Sequence, residues 1–316
     1  MQRPFVTGGS GFVGRALIKE LVQRGLPVRA LARSDAAIAA VRTAGAEPVR
    51  GDLGDRAALE AGMAGCDVVF HSAALANDHG PRAEFFAANV EGTKNVVAAA
   101  RAAGARRLVH VSTEALLADG RPIVRADETR PRAARPVGLY PLTKGLAEET
   151  VLSASRDGFE TVAIRPRFIW GKDDTSILPK LADQVRKGRW AWIDGGHYLT
   201  STCHVDNVVE GALLAAERGR PGEAYFLTDG EPIELRTFMT ELFRTQGLEP
   251  SDRAIPKWLV GLVARLTGWM SSPPVTRTAV ALAGHEVTVI DDKARRDLGY
   301  VGKKTREAGL AEMRAG

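Results

Sequence analysis

Short apolar runs alternate with helix-length amphipathic segments through the first half of the chain. Residues 3–7 form an apolar run that ends in glycines, and residues 12–23 place Phe12, Ala16, Leu17 and Leu21 on one helical face. Further strand-like runs occupy 28–32, 47–50, 68–71, 107–111 and 161–165. Helical patterns fill the gaps at 35–43, 56–63, 84–103 and 140–156. Strands separated by helices predict βαβ units, a parallel sheet with helices on both faces, and a doubly wound α/β fold. After about residue 170 the rhythm breaks. Helical patterns at 173–187, 205–218, 235–245, 257–270 and 291–298 then accompany one short strand at 223–227. The pattern predicts a sheet domain over 1–170 and a smaller, mostly helical region over 171–316. Segments such as 200–218 are expected to return to the sheet core. The Arg/Pro-rich stretch 121–136 reads as a long polar loop.

Composition narrows the function classes. The 316 residues are 45% hydrophobic, too apolar for a disordered tail, and the 33 glycines have no triplet period. Cys66 and Cys203 cannot build a disulfide framework, and the six histidines lack zinc-hydrolase spacing, so no metal site is expected. No apolar run reaches about 18 residues, which excludes a confident membrane span. A strand-turn pattern within five residues of the start leaves no room for a signal peptide, so a cytoplasmic protein with free thiols is expected. The net charge is +5, and residues 1–50 hold eight basic against three acidic side chains. No aromatic residues are interleaved with those charges as stacking platforms, which favours a small phosphorylated ligand over nucleic acid.

The first strand runs into Thr7-Gly8-Gly9-Ser10-Gly11-Phe12-Val13-Gly14. Gly9, Gly11 and Gly14 satisfy G-x-G-x-x-G, and Gly8, Gly11 and Gly14 satisfy the related G-x-x-G-x-x-G. Glycines permit the tight turn and let a pyrophosphate approach the backbone, while the helix N-terminus offers N–H groups to it. With a strand before and a helix after, the motif predicts a Rossmann-type dinucleotide site. The second strand ends Leu31-Ala32-Arg33-Ser34-Asp35. Asp35 sits where a first-turn charge belongs, and Arg33 is placed for a 2′-phosphate. NADP(H) is therefore expected ahead of NAD(H), which stays open.

Tyr140-Pro141-Leu142-Thr143-Lys144 places a phenol and an ammonium on one helix face. A nearby cation favours the phenolate, so Tyr140 is expected to have a lowered pKa and to exchange protons. Alone the pair says little. In order, Thr7–Gly14, Asp52-Leu53, His71-Ser72-Ala73-Ala74, Asn89–Thr93, Val111-Ser112-Thr113, Tyr140–Lys144, Arg165-Pro166-Arg167 and His204–Asn207 accompany it. Together they resemble the extended short-chain dehydrogenase/reductases, the NAD-dependent epimerase/dehydratase superfamily. Within it the chain is most similar to the 3β-hydroxysteroid dehydrogenase-like and dihydroflavonol reductase-like branch.

The resemblance implies roles. Gly8, Gly11, Phe12 and Val13 would contact the pyrophosphate, Asp52 and Leu53 the adenine, and Ala73 and Ala74 the nicotinamide ribose, with Pro166 also at the cofactor. A turn role for Asp52 is the alternative. Tyr140 would be the catalytic acid/base, Lys144 would bind the ribose and tune it, and Thr113 would bind the substrate oxygen, with Ser112 in reserve. Asn89 and His71 would brace the fold. The implied reaction is hydride transfer between a nicotinamide and a secondary alcohol or ketone (or aldehyde) on a hydrophobic, steroid-like small molecule. A nucleotide-sugar epimerase or dehydratase and a non-catalytic sensor are the alternatives. A homodimer through 84–103 and 140–156 is implied by the resemblance alone. Phe168, Trp170, Trp190, Trp192 and Tyr198 read equally well as substrate pocket or as core. Segment 256–270 reads as a packed helix, with peripheral membrane contact as the other reading.

Overall fold

The computed structural model describes residues 1–77, 79–270 and 273–315. Seven parallel strands form the main sheet: β1 (Pro4–Thr7), β2 (Arg29–Ala32), β3 (Glu47–Arg50), β4 (Val68–His71), β5 (Arg107–Val111), β6 (Glu160–Pro166) and β7 (Ala224–Leu227). Their order is β7-β6-β5-β4-β1-β2-β3. The order reverses at β1, which pairs in parallel with both β2 and β4. That reversal leaves a crevice at the strands' C-terminal ends, the usual ligand position in a doubly wound sheet. The central strands β1 and β4 are buried at every residue, as expected where helices cover both faces.

Helices α1 (Phe12–Gln23), α2 (Asp35–Thr43), α3 (Arg56–Met63), α4 (Gly92–Ala102), α5 (Leu139–Ser153) and α6 (Val205–Arg218) flank the sheet. Local chemistry starts several of them. The Ser34 hydroxyl accepts from the Ala37 N–H at 3.2 Å, and the Asp55 carboxylate from that of Ala58 at 3.0 Å. α1 buries Phe12, Leu17, Ile18 and Leu21, while α6 packs on α1 and on the sheet, so the chain does return to this core. The long helix expected over 84–103 is interrupted. A short helix, Arg82–Phe85, passes into a π-helical turn, Phe86–Glu91, before α4 begins.

The second region carries helices and more strand than periodicity predicted. Ile123–Ala126 lies inside the stretch read as a loop, yet it pairs with Val287–Val289 in a separate four-stranded sheet. Ile123 and Ala126 are buried there while Val124 and Arg125 face out. The aromatic group also resolves. Trp170 and Trp192 are buried in a core cluster with Phe238, Leu242 and Phe243, so they are core rather than pocket wall. Cys66 and Cys203 are buried free thiols, and burial raises both pKa values. Among the described residues no helix is long and apolar enough to cross a membrane.

Candidate active site

The glycine turn connects β1 to α1 at the crevice. Gly8 has φ +73°, and a Cβ there would lie 2.7 Å from the Ala73 nitrogen. A Cβ at Gly14 would lie 2.0 Å from the Gly8 carbonyl oxygen, so the first turn of α1 can close on the loop only with glycine present. The Gly11 N–H donates to Gly8 O at 2.9 Å and sets the turn. No side chain caps α1, so its first N–H groups, at Phe12 and Val13, face the crevice mouth as anion donors. This bare, Cβ-free cradle fits a pyrophosphate.

Buried hydrogen bonds fix the loop after β4 against the turn. The Thr7 hydroxyl donates to His71 Nδ1 (2.7 Å), and His71 Nε2 donates to the Thr93 hydroxyl (2.9 Å), whose own proton goes to Asn89 O (2.6 Å). This chain sets the tautomer. Burial and the Lys144 charge push the His71 pKa down to about 3. Asn89, in the π turn, accepts from the Leu75 N–H (2.7 Å) and donates to Leu75 O (3.1 Å) and the Thr143 hydroxyl (3.0 Å). His71 and Asn89 thus brace the glycine turn, the Ala73–Ala74 loop and α5 into one unit.

Elsewhere on the crevice the structure sharpens the expectations. Asp52 is exposed, and its carboxylate accepts from the Gly54 and Asp55 N–H groups at 2.7 and 3.2 Å, a turn-closing role. Leu53 packs against Gly92, and its carbonyl accepts from Asn95. Pro166 ends β6, buried and in register with Leu227. Arg33 is exposed just past β2. Asp35 opens α2 as expected and is ion-paired with Arg50, which ends β3 directly beside Ala32.

Thr113, Tyr140 and Lys144 converge at the C-terminal end of β5. Thr113 is buried and caps a 3-10 turn, Glu114–Leu117. Tyr140 and Lys144 lie in the first turns of α5, and the phenol shares a hydrogen bond with the Thr113 hydroxyl. Lys144 is buried, and its Nζ donates to Val111 O (2.7 Å) and His110 Nε2 (3.2 Å). Burial lowers its pKa to about 8, against the opposing pull of Glu148. An ammonium has three donors, so one remains for an incoming ligand.

The phenol departs from expectation. Burial raises the Tyr140 pKa, and the Glu114 carboxylate raises it further. Lys144 does not lower it here, because its ammonium is drawn back onto β5. The Thr113 hydroxyl donates to Glu114 Oε2 at 2.9 Å, so its oxygen is left to accept. The Ser112 hydroxyl is buried with no partner among the described residues.

Periodicity and spacing did not single out Glu114, Arg167 and His110. Each is a polar residue inside an otherwise buried run beside a motif residue, which was the one available signal. A groove of about 750 Å³ between α1 and α6 contains none of Thr113, Tyr140 or Lys144. On its wall His204, Asp206 and Glu312 cluster. Lys304 Nζ already stands 3.2 Å from Asp206 and 2.8 Å from Glu312, so an ammonium neutralises that cluster.

Comparison with known proteins identifies the family. The 3-beta hydroxysteroid dehydrogenase/isomerase family model matches residues 5–257. The chain is 54% identical to a 4-hydroxy-2-methyl-3-oxo-4-farnesyl-3,4-dihydroquinoline-1-oxide ketoreductase of Stigmatella aurantiaca, covering 99% of this chain and 96% of the relative. It is 36% identical to a 2-alkyl-3-oxoalkanoate reductase of Stenotrophomonas maltophilia, over 98% of both chains. The solved structure of gox2253 superposes with a TM-score of 0.80 at 29% identity, over 100% of this chain and 98% of that one. A doubly wound sheet, a glycine-cradled crevice and these matches lead to one conclusion: the chain is an oxidoreductase of the extended short-chain type and belongs to the 3-beta hydroxysteroid dehydrogenase/isomerase family.

Proposed function

We propose that the chain reduces a ketone on a hydrophobic small molecule to a secondary alcohol, with NADPH as hydride donor and Tyr140 as proton donor. The observation that carries this reading is the convergence of Tyr140, Thr113 and Lys144 at the end of β5, beside the cradle of Gly8, Gly11 and Gly14. A phenol held protonated suits the giving of a proton to a carbonyl oxygen. Lys144 would reach the nicotinamide ribose with its remaining N–H, and Ala73 and Ala74 would flank that ribose. Phe12 and Val13 would hold the pyrophosphate, with Asp52, Leu53 and Pro166 at the cofactor's other contacts. The nicotinamide, when bound, supplies the hydride. Two of the relatives are named for reducing 3-oxo compounds and a third for dehydrogenating a 3-beta-hydroxysteroid, so a panel should contain a 2-alkyl-3-oxoalkanoate, a 4-hydroxy-3-oxo-dihydroquinoline and the 3-oxosteroid that such a dehydrogenation would give. Cofactor oxidation over this panel, with NADPH and NADH in parallel, tests the proposal. No consumption with any ketone counts against it.

Arg33 carries the preference for NADP(H). Its guanidinium is exposed past β2 and makes no ion pair among the described residues, while the one nearby acid, Asp35, is held by Arg50. A charge-assisted contact to the 2′-phosphate is worth about 1.5 kcal/mol or more. Arg33→Ala should therefore raise KM for NADPH about tenfold and leave KM for NADH unchanged. Equal effects on both cofactors would remove the assignment.

One surface observation favours peripheral contact with an anionic membrane. Helix α7 (Lys257–Leu266) buries Val260 and Ala264 but leaves its other face bare: Trp258 is 71% exposed and Leu266 63%, and Trp269 beyond it is 85% exposed. Between residues 253 and 285 stand Arg253, Lys257, Arg265 and Arg277 with no acidic side chain. An apolar face ringed by cations suits an anionic lipid surface. The chain should co-sediment with phosphatidylserine vesicles, and a Trp258→Ser/Trp269→Ser variant should not. A wild-type chain left in the supernatant rejects the contact. A homodimer through α4 and α5, measurable by light scattering, belongs to the same reading.

A further inference from the structure

Glu114 follows Thr113 and opens the 3-10 turn that leaves β5. Its carboxylate is buried and has two partners. Oε2 accepts the Thr113 hydroxyl at 2.9 Å, and Oε1 stands 3.1 Å from the Arg167 guanidinium. Arg167 lies just past β6, buried as well, and donates to Leu282 O at 2.7 Å. Its Nε has no partner among the described residues. A buried ion pair recovers little net stability after desolvation. Placed against the reacting hydroxyls, this pair has a direct effect on them.

A threonine hydroxyl has one proton to give. Here that proton points to Glu114, so the Thr113 oxygen offers only lone pairs, and the neighbouring donor is the Tyr140 phenol. The charges around the phenol come from three elements. Glu114 faces it from the 3-10 turn. Lys144 lies one turn on in α5, with its ammonium held on Val111 O and His110. Arg167 stands behind Glu114, with His285 beside it kept neutral by burial. His110 is also held neutral by burial. Of these charges it is the negative one, on Glu114, that acts on the phenol, and it opposes loss of the phenolic proton.

We infer that Glu114, clamped by Arg167, is a positioning residue that fixes the Thr113 hydroxyl rotor and holds the proton on Tyr140, setting the site for proton donation to a carbonyl. The inference rests on the proposed reading of Tyr140 as the proton donor. Glu114 stays a carboxylate throughout. The only proton that moves passes from Tyr140 Oη to the substrate oxygen.

The pH dependence of kcat tests this, using NADPH and whichever panel ketone turns over fastest. In Glu114→Gln the alkaline limb should move to lower pH by about one unit or more. The NADPH dissociation constant, read from fluorescence, should stay within about twofold. Glu114→Asp should restore most of the wild-type profile. Glu114→Gln strands the Arg167 charge, so the double variant Glu114→Gln/Arg167→Gln removes both charges together and should show the same alkaline shift. If either variant is folded by circular dichroism and keeps the wild-type profile, the inference is overturned. A Tyr140→Phe chain that turns over at the wild-type rate would instead overturn the underlying reading. A Tyr140→Phe chain slowed about 10²-fold or more, with an unmoved Glu114→Gln profile, overturns this inference alone.

Discussion

Tyr140→Phe is expected to lower kcat by about 10²- to 10⁴-fold while leaving NADPH affinity within about twofold. The hydroxyl is the only group removed, and among the described residues no other protonated acid lies against Thr113. Lys144 is turned onto Val111 O and His110, and Glu114 is an acceptor in an ion pair. Tyr140 lies in the first turn of α5, half-buried, and phenylalanine keeps its ring. The cradle formed by Gly8, Gly11 and Gly14 is untouched, so cofactor affinity should survive. Stopped-flow mixing of preloaded enzyme with ketone would separate the chemical step from binding.

The second large effect is loss of stability on mild acidification. His71 is fully buried and neutral, receiving a proton from Thr7 and giving one to Thr93. Its folded pKa is about 3 against an ordinary 6.5. The unfolded chain therefore takes up a proton near pH 6.5 that the folded chain refuses. The stabilisation is complete above 6.5 and is lost progressively as pH falls towards 3. The loss from His71 alone is about 2 kcal/mol by pH 5 and about 4 kcal/mol by pH 3. His110 adds to it in the same direction. Lys144 does not blur this limb, because its folded value near 8 makes its cost constant below pH 8. Urea midpoints should fall steeply between pH 7 and 5, and His71→Gln should flatten that slope while lowering stability at pH 7. A wild-type midpoint flat over that range contradicts the buried neutral histidine.

The parts of the fold that were legible are those set by period and by backbone. β1 and β4 are buried at every residue and mostly apolar because helices cover both faces, and Gly8 and Gly14 announce the turn because no Cβ fits there. Residues 123–126 were hidden. Their pattern is in, out, out, in, and Arg125 has φ +42°, so no alternation of period two marks the strand. The break in 84–103 was hidden too, because a π turn adds a residue without changing composition. At the site, Tyr140 and Lys144 were legible from their spacing along one helix. The direction of the phenol's shift was not. It depends on Glu114, whose meaning comes from Arg167, 53 positions along the chain. It depends equally on His110, a strand residue that draws the Lys144 ammonium away. The exposure of Trp258 and Trp269 was likewise beyond periodicity, which marks an apolar face without saying what covers it.

The central claim is net hydride transfer to a ketone with Tyr140 supplying the proton. The most direct measurement uses NADPH carrying deuterium on the transferring face of nicotinamide C4, the panel ketones, and mass analysis of product and cofactor. One deuterium on the carbinol carbon for each NADP⁺ formed is expected, with both accumulating at least about 10²-fold more slowly in Tyr140→Phe. Substrate conversion with no net cofactor oxidation, as an epimerase or dehydratase would give, contradicts it.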